Sequence, residues 1–126
     1  MDRLKSMSVS LVVDDEPSVR KYVRNILERE HFRTLEAEDG SRALQIVQEL
    51  GGGVDLIVTD IQMPNGDGLR LAHSVKESFP AVPVILVSGE TRPDPDAGFE
   101  FVQKPFLPMT LVTAVRKLFA PKADAA

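Results

Sequence analysis

The chain has 126 residues, 43% of them hydrophobic and 27% charged, with a formal net charge of -4 and no cysteine. That suffices for one globular core and excludes disulfide staples and thiolate metal sites, while the negative balance and scattered basic residues argue against nucleic acid as a direct partner. No apolar run approaches the ~20 residues that span a bilayer, and Met1 to Ser8 lack the apolar centre of a secretory signal, so a cytoplasmic protein is expected.

Residues 1–7 are expected to form a disordered extension before a single domain over residues 8–119. Val9 to Val13 is a short run rich in β-branched residues, suited to a strand buried on both faces. Asp15-Glu16-Pro17 follows, and Pro17 fits the first turn of a helix, where its missing N–H is no loss. Val19, Val23, Ile26 and Leu27 then share one face at the 3.6-residue period. A weaker strand covers Thr34 to Ala37. Asp39-Gly40 leads into a helix with Ala43, Leu44, Val47 and Leu50 inward, stopped by Gly51-Gly52-Gly53. The strongest strand is Val54 to Thr59, ending at Asp60. Gly66-Asp67-Gly68 turns the chain into a helix carrying Leu71, Ala72 and Val75 inward, which Pro80 ends. Pro83 to Val87 and Phe99 to Gln103 read as the fourth and fifth strands. The last helix runs from about Pro108 to Phe119, with Leu111, Val115, Leu118 and Phe119 inward, and residues 120–126 read as a flexible tail or linker stump.

Strand-like runs thus alternate with helix-period segments, without an internal repeat. The pattern predicts an α/β fold with a doubly wound, five-stranded parallel sheet of flavodoxin-like order 2-1-3-4-5 and right-handed crossovers. In such a sheet the site lies where the winding reverses, at the carboxyl ends of the first and third strands. Asp14-Asp15 and Asp60 fall at those two ends.

Three carboxylates in one crevice repel one another and raise their own pKa values unless something neutralises them. A hard divalent cation does so, and oxygen-only ligands suit Mg²⁺. Asp is also a common helix cap; one carboxylate is enough to cap, so Asp14-Asp15 admits both readings. Ser88 follows the fourth strand and Lys104 the fifth, and each has an ordinary reading as a turn hydroxyl or a snorkelling lysine. Both also project from the sheet edge that carries the aspartates. A hydroxyl, an ammonium and Mg²⁺ around a carboxylate would clamp a transferring phosphoryl group.

Val12-Val13-Asp14-Asp15-Glu16-Pro17, Thr59-Asp60-Ile61-Gln62-Met63-Pro64, Gly68, Ser88-Gly89 and Lys104-Pro105-Phe106 together resemble the receiver domains of two-component response regulators, the CheY-like superfamily. The resemblance runs from about Ser8 to Phe119, with its motifs in order at predicted strand ends. It implies that Asp60 takes a phosphoryl group from a phosphohistidine, so the expected partner is a sensor histidine kinase or a histidine phosphotransfer protein. It implies Mg²⁺ held by Asp15, Asp60 and the backbone carbonyl of Gln62, with Asp14 acting largely through water. Lys104 would pair with the phosphoryl oxygens or, before transfer, with the carboxylates. Ser88 would swing inward onto the phosphoryl group, Phe101 stands where the family has its switch aromatic, and Lys104–Pro105 would be a cis peptide. Gln62 and Glu90 would flank the path of attacking water and tune hydrolysis. Such a domain phosphorylates and dephosphorylates itself and is not a conventional enzyme.

The chain departs from the family between Ser88 and Lys104, where typical receivers fit a complete helix. Two prolines and two glycines in that short segment predict an irregular loop or at most one helical turn. An Asp-nucleophile hydrolase would resemble D-x-D, but Gln62 stands two beyond Asp60. A flavin module would need a phosphate loop where Asp14-Asp15-Glu16 stands, which would repel phosphate. The remaining alternative is a pseudo-receiver that serves as an interaction module without phosphorylation. His31 and His73 read as surface residues and Met63 as a packing residue. No DNA-binding segment follows Phe119, so output is expected to pass through a protein partner or a further domain.

Overall fold

Apolar residues on both faces of the central strands require cover on both sides of the sheet, and the helices supply it. The structure, a computed structural model, describes residues 8–64, 67–89 and 98–119. In chain order the elements are β1 (Ser8–Val13), α1 (Pro17–Arg29), β2 (Phe32–Ala37), α2 (Gly40–Glu49), β3 (Leu56–Asp60), α3 (Gly68–Ser78), β4 (Val84–Ser88), β5 (Glu100–Gln103) and α4 (Pro108–Phe119). The strands form one parallel sheet of order β2-β1-β3-β4-β5, as the alternation predicts.

Alternate residues along each strand enter different cores. Leu11, Val13, Ile57, Val84 and Leu86 pack with Ala43 and Val47 of α2 and Leu71, Ala72 and Val75 of α3. Val12, Leu56, Val58, Ile85, Val87 and Val102 pack with Val23, Ile26 and Leu27 of α1 and Leu111, Val112 and Val115 of α4. This two-sided burial fixes register, because a slip of one residue would exchange the two faces. In that register Val13 lies beside both Ala37 and Thr59, Asp60 lies level with Val87, and Ser88 with Gln103. The strand ends that carry polar residues therefore line up along one edge.

Helix ends follow local chemistry. Pro17 begins α1, and Asp39 and Asp67 cap α2 and α3 by accepting the N–H groups of Arg42 and Leu69 at 2.8 and 2.7 Å. Beyond α2, Gly51 and Gly52 take the left-handed conformation, with φ of 58° and 82°. His31 takes the same conformation after α1 (φ 71°), an uncommon choice for a residue with a Cβ.

Two predicted core positions are corrected. Leu50 and Phe119 are 45% and 47% exposed. Leu50 is the C-cap of α2, where the helical period has ended, and Ile46 takes the inward place. Phe119, the last residue of α4, meets Phe32 edge-on, with ring centroids 5.9 Å apart, and stays half exposed. β2 begins two residues earlier than its pattern suggests because Phe32 is itself a core residue. The loop or single turn expected after Thr91 falls on residues 90–97, and the expected extension and tail on 1–7 and 120–126; all lie outside the described residues. No described helix is long and apolar enough to cross a membrane.

Leu27 and Leu50 supply a direct test of this packing. Leu27→Ala, at a fully buried site, is expected to lower the unfolding free energy by about 2–5 kcal/mol. Leu50→Ala should change it by no more than ~0.5 kcal/mol, both read from urea denaturation.

Candidate functional site

Asp14 follows the last residue of β1 and is almost fully buried, at 4% exposure. Each of its polar atoms is occupied. Its N–H donates to the Ala37 carbonyl at 3.2 Å, and its carbonyl accepts from Arg20 Nη1 at 2.7 Å. Oδ1 accepts the Glu16 N–H at 2.9 Å, and Oδ2 accepts from Lys104 Nζ at 3.2 Å. The side chain thus braces the turn that leads into α1 and faces the crevice at once, but no side chain caps α1, so the capping reading of Asp14-Asp15 is not realised. Asp15, next in the chain, is exposed.

Asp60 ends β3, and its Oδ2 lies 3.5 Å from Lys104 Nζ. The backbone around it is tightly held. The Thr59 hydroxyl donates to the Asp60 carbonyl at 2.9 Å, and the Gly68 N–H donates to the Ile61 carbonyl at 2.8 Å. Gly68, the first residue of α3, lies so close that a Cβ there would overlap the Asp60 carbonyl oxygen and come 3.0 Å from Ile61 Cα. Only glycine fits that approach.

Ser88 is 1% exposed at the end of β4, and its carbonyl accepts the Lys104 N–H at 2.9 Å. That bond fastens the β5 exit to β4 and holds Lys104 over the crevice, and the Lys104–Pro105 peptide is cis. Phe101 is partly buried against the α2/α3 core and lies beside Leu86 in the β4–β5 register. Gln62 is exposed at the start of the loop after β3, Met63 packs against the core, and Glu90 lies outside the described residues. A Cβ on Gly89 would make only ordinary contact with Lys104, at 3.8 Å, so packing does not demand glycine there.

The structure brings Asp14, Asp15 and Asp60 together, each offering an oxygen within 4.8 Å of the others. Three carboxylates face one ammonium, which leaves excess negative charge in a partly desolvated place. Burial pushes the Asp60 carboxyl up, and the Asp14 charge adds to this; Lys104 and a backbone hydrogen bond from Gln62 offset only part of the rise. Burial works to lower Lys104, but Asp14 and Asp60 outweigh it, so its pKa is raised and it stays an ammonium at neutral pH. An all-oxygen donor set with unbalanced negative charge fits a hard divalent cation such as Mg²⁺.

Two contacts near the site carry no sequence signal. Arg20, near the start of α1, joins the Asp14 carbonyl to Glu36 of β2 through Nε at 3.0 Å, and Arg24 reaches the same Glu36 at 2.8 Å. Burial pushes Glu36 up, but the two arginines outweigh it and hold its carboxyl below the usual carboxylate range. The Tyr22 hydroxyl of α1 donates to the Phe106 carbonyl at 2.8 Å, and the two rings meet at 5.6 Å. Both link residues far apart in the chain through strand or loop placement, which local pattern does not reveal.

Residues 10–116 match the family model described as response regulator receiver domain. The chain is 35% identical over 121 residues to the sensor kinase CckA of Brucella abortus (strain 2308), covering 91% of this chain and 13% of that protein. It is 35% identical over 124 residues to the transcriptional regulatory protein ResD of Bacillus subtilis (strain 168), covering 94% of this chain and 50% of that protein. The chain thus spans half or less of these two relatives. Among solved structures, the receiver domain of the hybrid histidine kinase CckA is similar with a TM-score of 0.77 and 32% identity, covering 88% of this chain and 98% of that one.

Gly68→Ala is expected to cost at least ~2 kcal/mol in urea unfolding, because the backbone of Asp60 must move to admit the methyl group. The charge excess makes a second prediction. With chelator present, Asp60→Asn should melt at a higher temperature than the wild type at pH 7, since it removes one crowded charge. A raised carboxyl pKa means that the native state binds more protons than the unfolded one, so its burden grows as pH rises through that window. The advantage of Asp60→Asn should therefore shrink as pH falls through the carboxylate range. Calorimetry at several pH values checks both the sign and the trend.

Proposed function

The chain belongs to the response regulator receiver domain family, and from that premise we propose that Asp60 is its phosphoacceptor. The observation that carries this reading is the position of the Asp60 carboxylate at the winding reversal, beside Asp14 and 3.5 Å from the Lys104 ammonium. The phosphodonor is a sensor histidine kinase or a histidine phosphotransfer protein, met in the cytoplasm. A surface hollow between α2 and α3, lined by Ser41, Asp67 and Arg70 among others, stands apart from the acidic cluster. A protein-borne phosphohistidine, rather than an enclosed small molecule, suits a site that opens at a sheet edge.

In the transfer, an Asp60 carboxylate oxygen attacks phosphorus as the P–N bond of the phosphohistidine breaks, and the imidazole nitrogen leaves with the bonding electron pair. Lys104 holds a positive charge where the phosphoryl oxygens arrive, and gives up part of its pairing with Asp14 and Asp60 to meet them. Asp15, Asp60 and the Gln62 carbonyl, with Asp14 through water, would hold Mg²⁺, which supplies charge stabilisation to the phosphoryl group. The Ser88 hydroxyl turns toward the phosphoryl oxygens. Phe101, one strand over, follows as the switch aromatic. The new group is an acyl phosphate, and Gln62 and Glu90 set how easily water reaches it. The chain's own chemistry is thus acceptance and loss of one phosphoryl group, with no turnover of a separate substrate.

Incubation with acetyl phosphate and Mg²⁺, followed by intact-mass measurement, tests the assignment. The wild type is expected to gain one phosphoryl group and Asp60→Asn none. Absence of the adduct with both acetyl phosphate and a phosphorylated histidine kinase would sink the proposal, and an adduct that persists in Asp60→Asn would move the acceptor elsewhere.

A further inference from the structure

Resting on the Mg²⁺ reading above, we propose that Arg20 is a positioning residue for the cation site, holding the Asp14–Asp15 peptide in the orientation that presents Asp15. The Asp15 carboxylate is exposed and accepts no hydrogen bond among the described residues, so its own side chain does not fix it. Its placement comes from the backbone before it. The peptide unit between Asp14 and Asp15 is planar, so fixing the Asp14 carbonyl also fixes the Asp15 N–H and directs its Cα. Arg20 Nη1 donates to that carbonyl at 2.7 Å, the shortest of the four bonds to Asp14. The guanidinium is itself anchored, because Nε donates to Glu36 Oε1 at 3.0 Å and the arginine side chain is only 17% exposed. Glu36 lies beside Val12 in the β1–β2 register, so the anchor belongs to the sheet and not to a mobile loop. A rigid fork between strand and loop is a task for arginine, whose donors keep fixed relative directions.

Electrostatics and geometry make opposite forecasts for the loss of this residue. Removing the cation that sits on the Asp14 carbonyl should tighten Mg²⁺ binding if charge alone matters. Removing the clamp should weaken it, and outer partners of metal ligands are typically worth ~10–100-fold in affinity. Arg24 supplies the control, since it also binds Glu36 but makes no bond to the Asp14–Asp15 peptide.

The test is Mg²⁺ titration of the full chain, followed by backbone amide resonances, with thermal melting of the metal-free proteins alongside. Arg20→Ala is expected to keep a dispersed spectrum and to bind Mg²⁺ about tenfold or more weakly. Arg24→Ala should bind it as the wild type does. Arg20→Lys retains the charge but not the two-point fork, and should recover little of the affinity. Unchanged or tighter binding by Arg20→Ala overturns the inference, as does full recovery by Arg20→Lys or an equal loss in Arg24→Ala. A wild type that binds no Mg²⁺ overturns the metal reading as well, a result distinct from wild-type binding that survives the loss of Arg20.

Discussion

Asp14 and Asp60 share the ammonium of Lys104 at a depth where water screens them poorly. This unequal sharing follows from topology. The order β2-β1-β3-β4-β5 sets β1 beside β3, so residues that end those strands must meet, whatever their charge. A stable fold tolerates the crowding because the strands beneath are apolar on both faces and packed between two helical layers. The native state is therefore held by its core and strained at its rim. That division is common where a site must later accept a cation or an anion.

The sheet order, the strand ends and all three aspartates were legible because they depend on short-range pattern and on one rule about winding. Buried parallel strands announce themselves as β-branched runs, and Asp60 stands out at the end of the clearest of them. Helix ends were less legible. Leu50 fits the inward period of α2, yet the helix has already ended there, and Gly51 and Gly52 have turned the chain. Phe119 fits the α4 period but lacks a layer to cover it. The Arg20–Glu36 contact was invisible because nothing local couples an arginine at the start of α1 to a glutamate on β2. It becomes apparent only once β1 and β2 are in register. Gly68 belonged to the recognised motif, but the physical demand for it, contact with the backbone of Asp60, needed coordinates.

The β4–β5 pair joins several of the features around the crevice. Ser88 accepts the Lys104 N–H, and two residues before Ser88, Leu86 lies level with Phe101. A shift of the Ser88 backbone would therefore act on the lysine directly and on the aromatic through one strand pairing. Phe99, just before β5, is gripped from α3, with the His73 ring edge-on at 5.3 Å and Lys76 Nζ 5.3 Å from its centroid. The near end of β5 is thereby tied to α3 while its far end is tied to the site. The strand spans two layers that would otherwise respond separately.

Tyr22 is the chain's one tyrosine, and there is no tryptophan. Its hydroxyl holds the Phe106 carbonyl and its ring leans on the Phe106 ring, two residues beyond Lys104. Emission excited at wavelengths that phenylalanine does not absorb therefore has a single source, seated against the loop that carries the lysine. The molecule contains its own optical reporter for that loop, and any rearrangement that frees the phenol would change its brightness without a label being added.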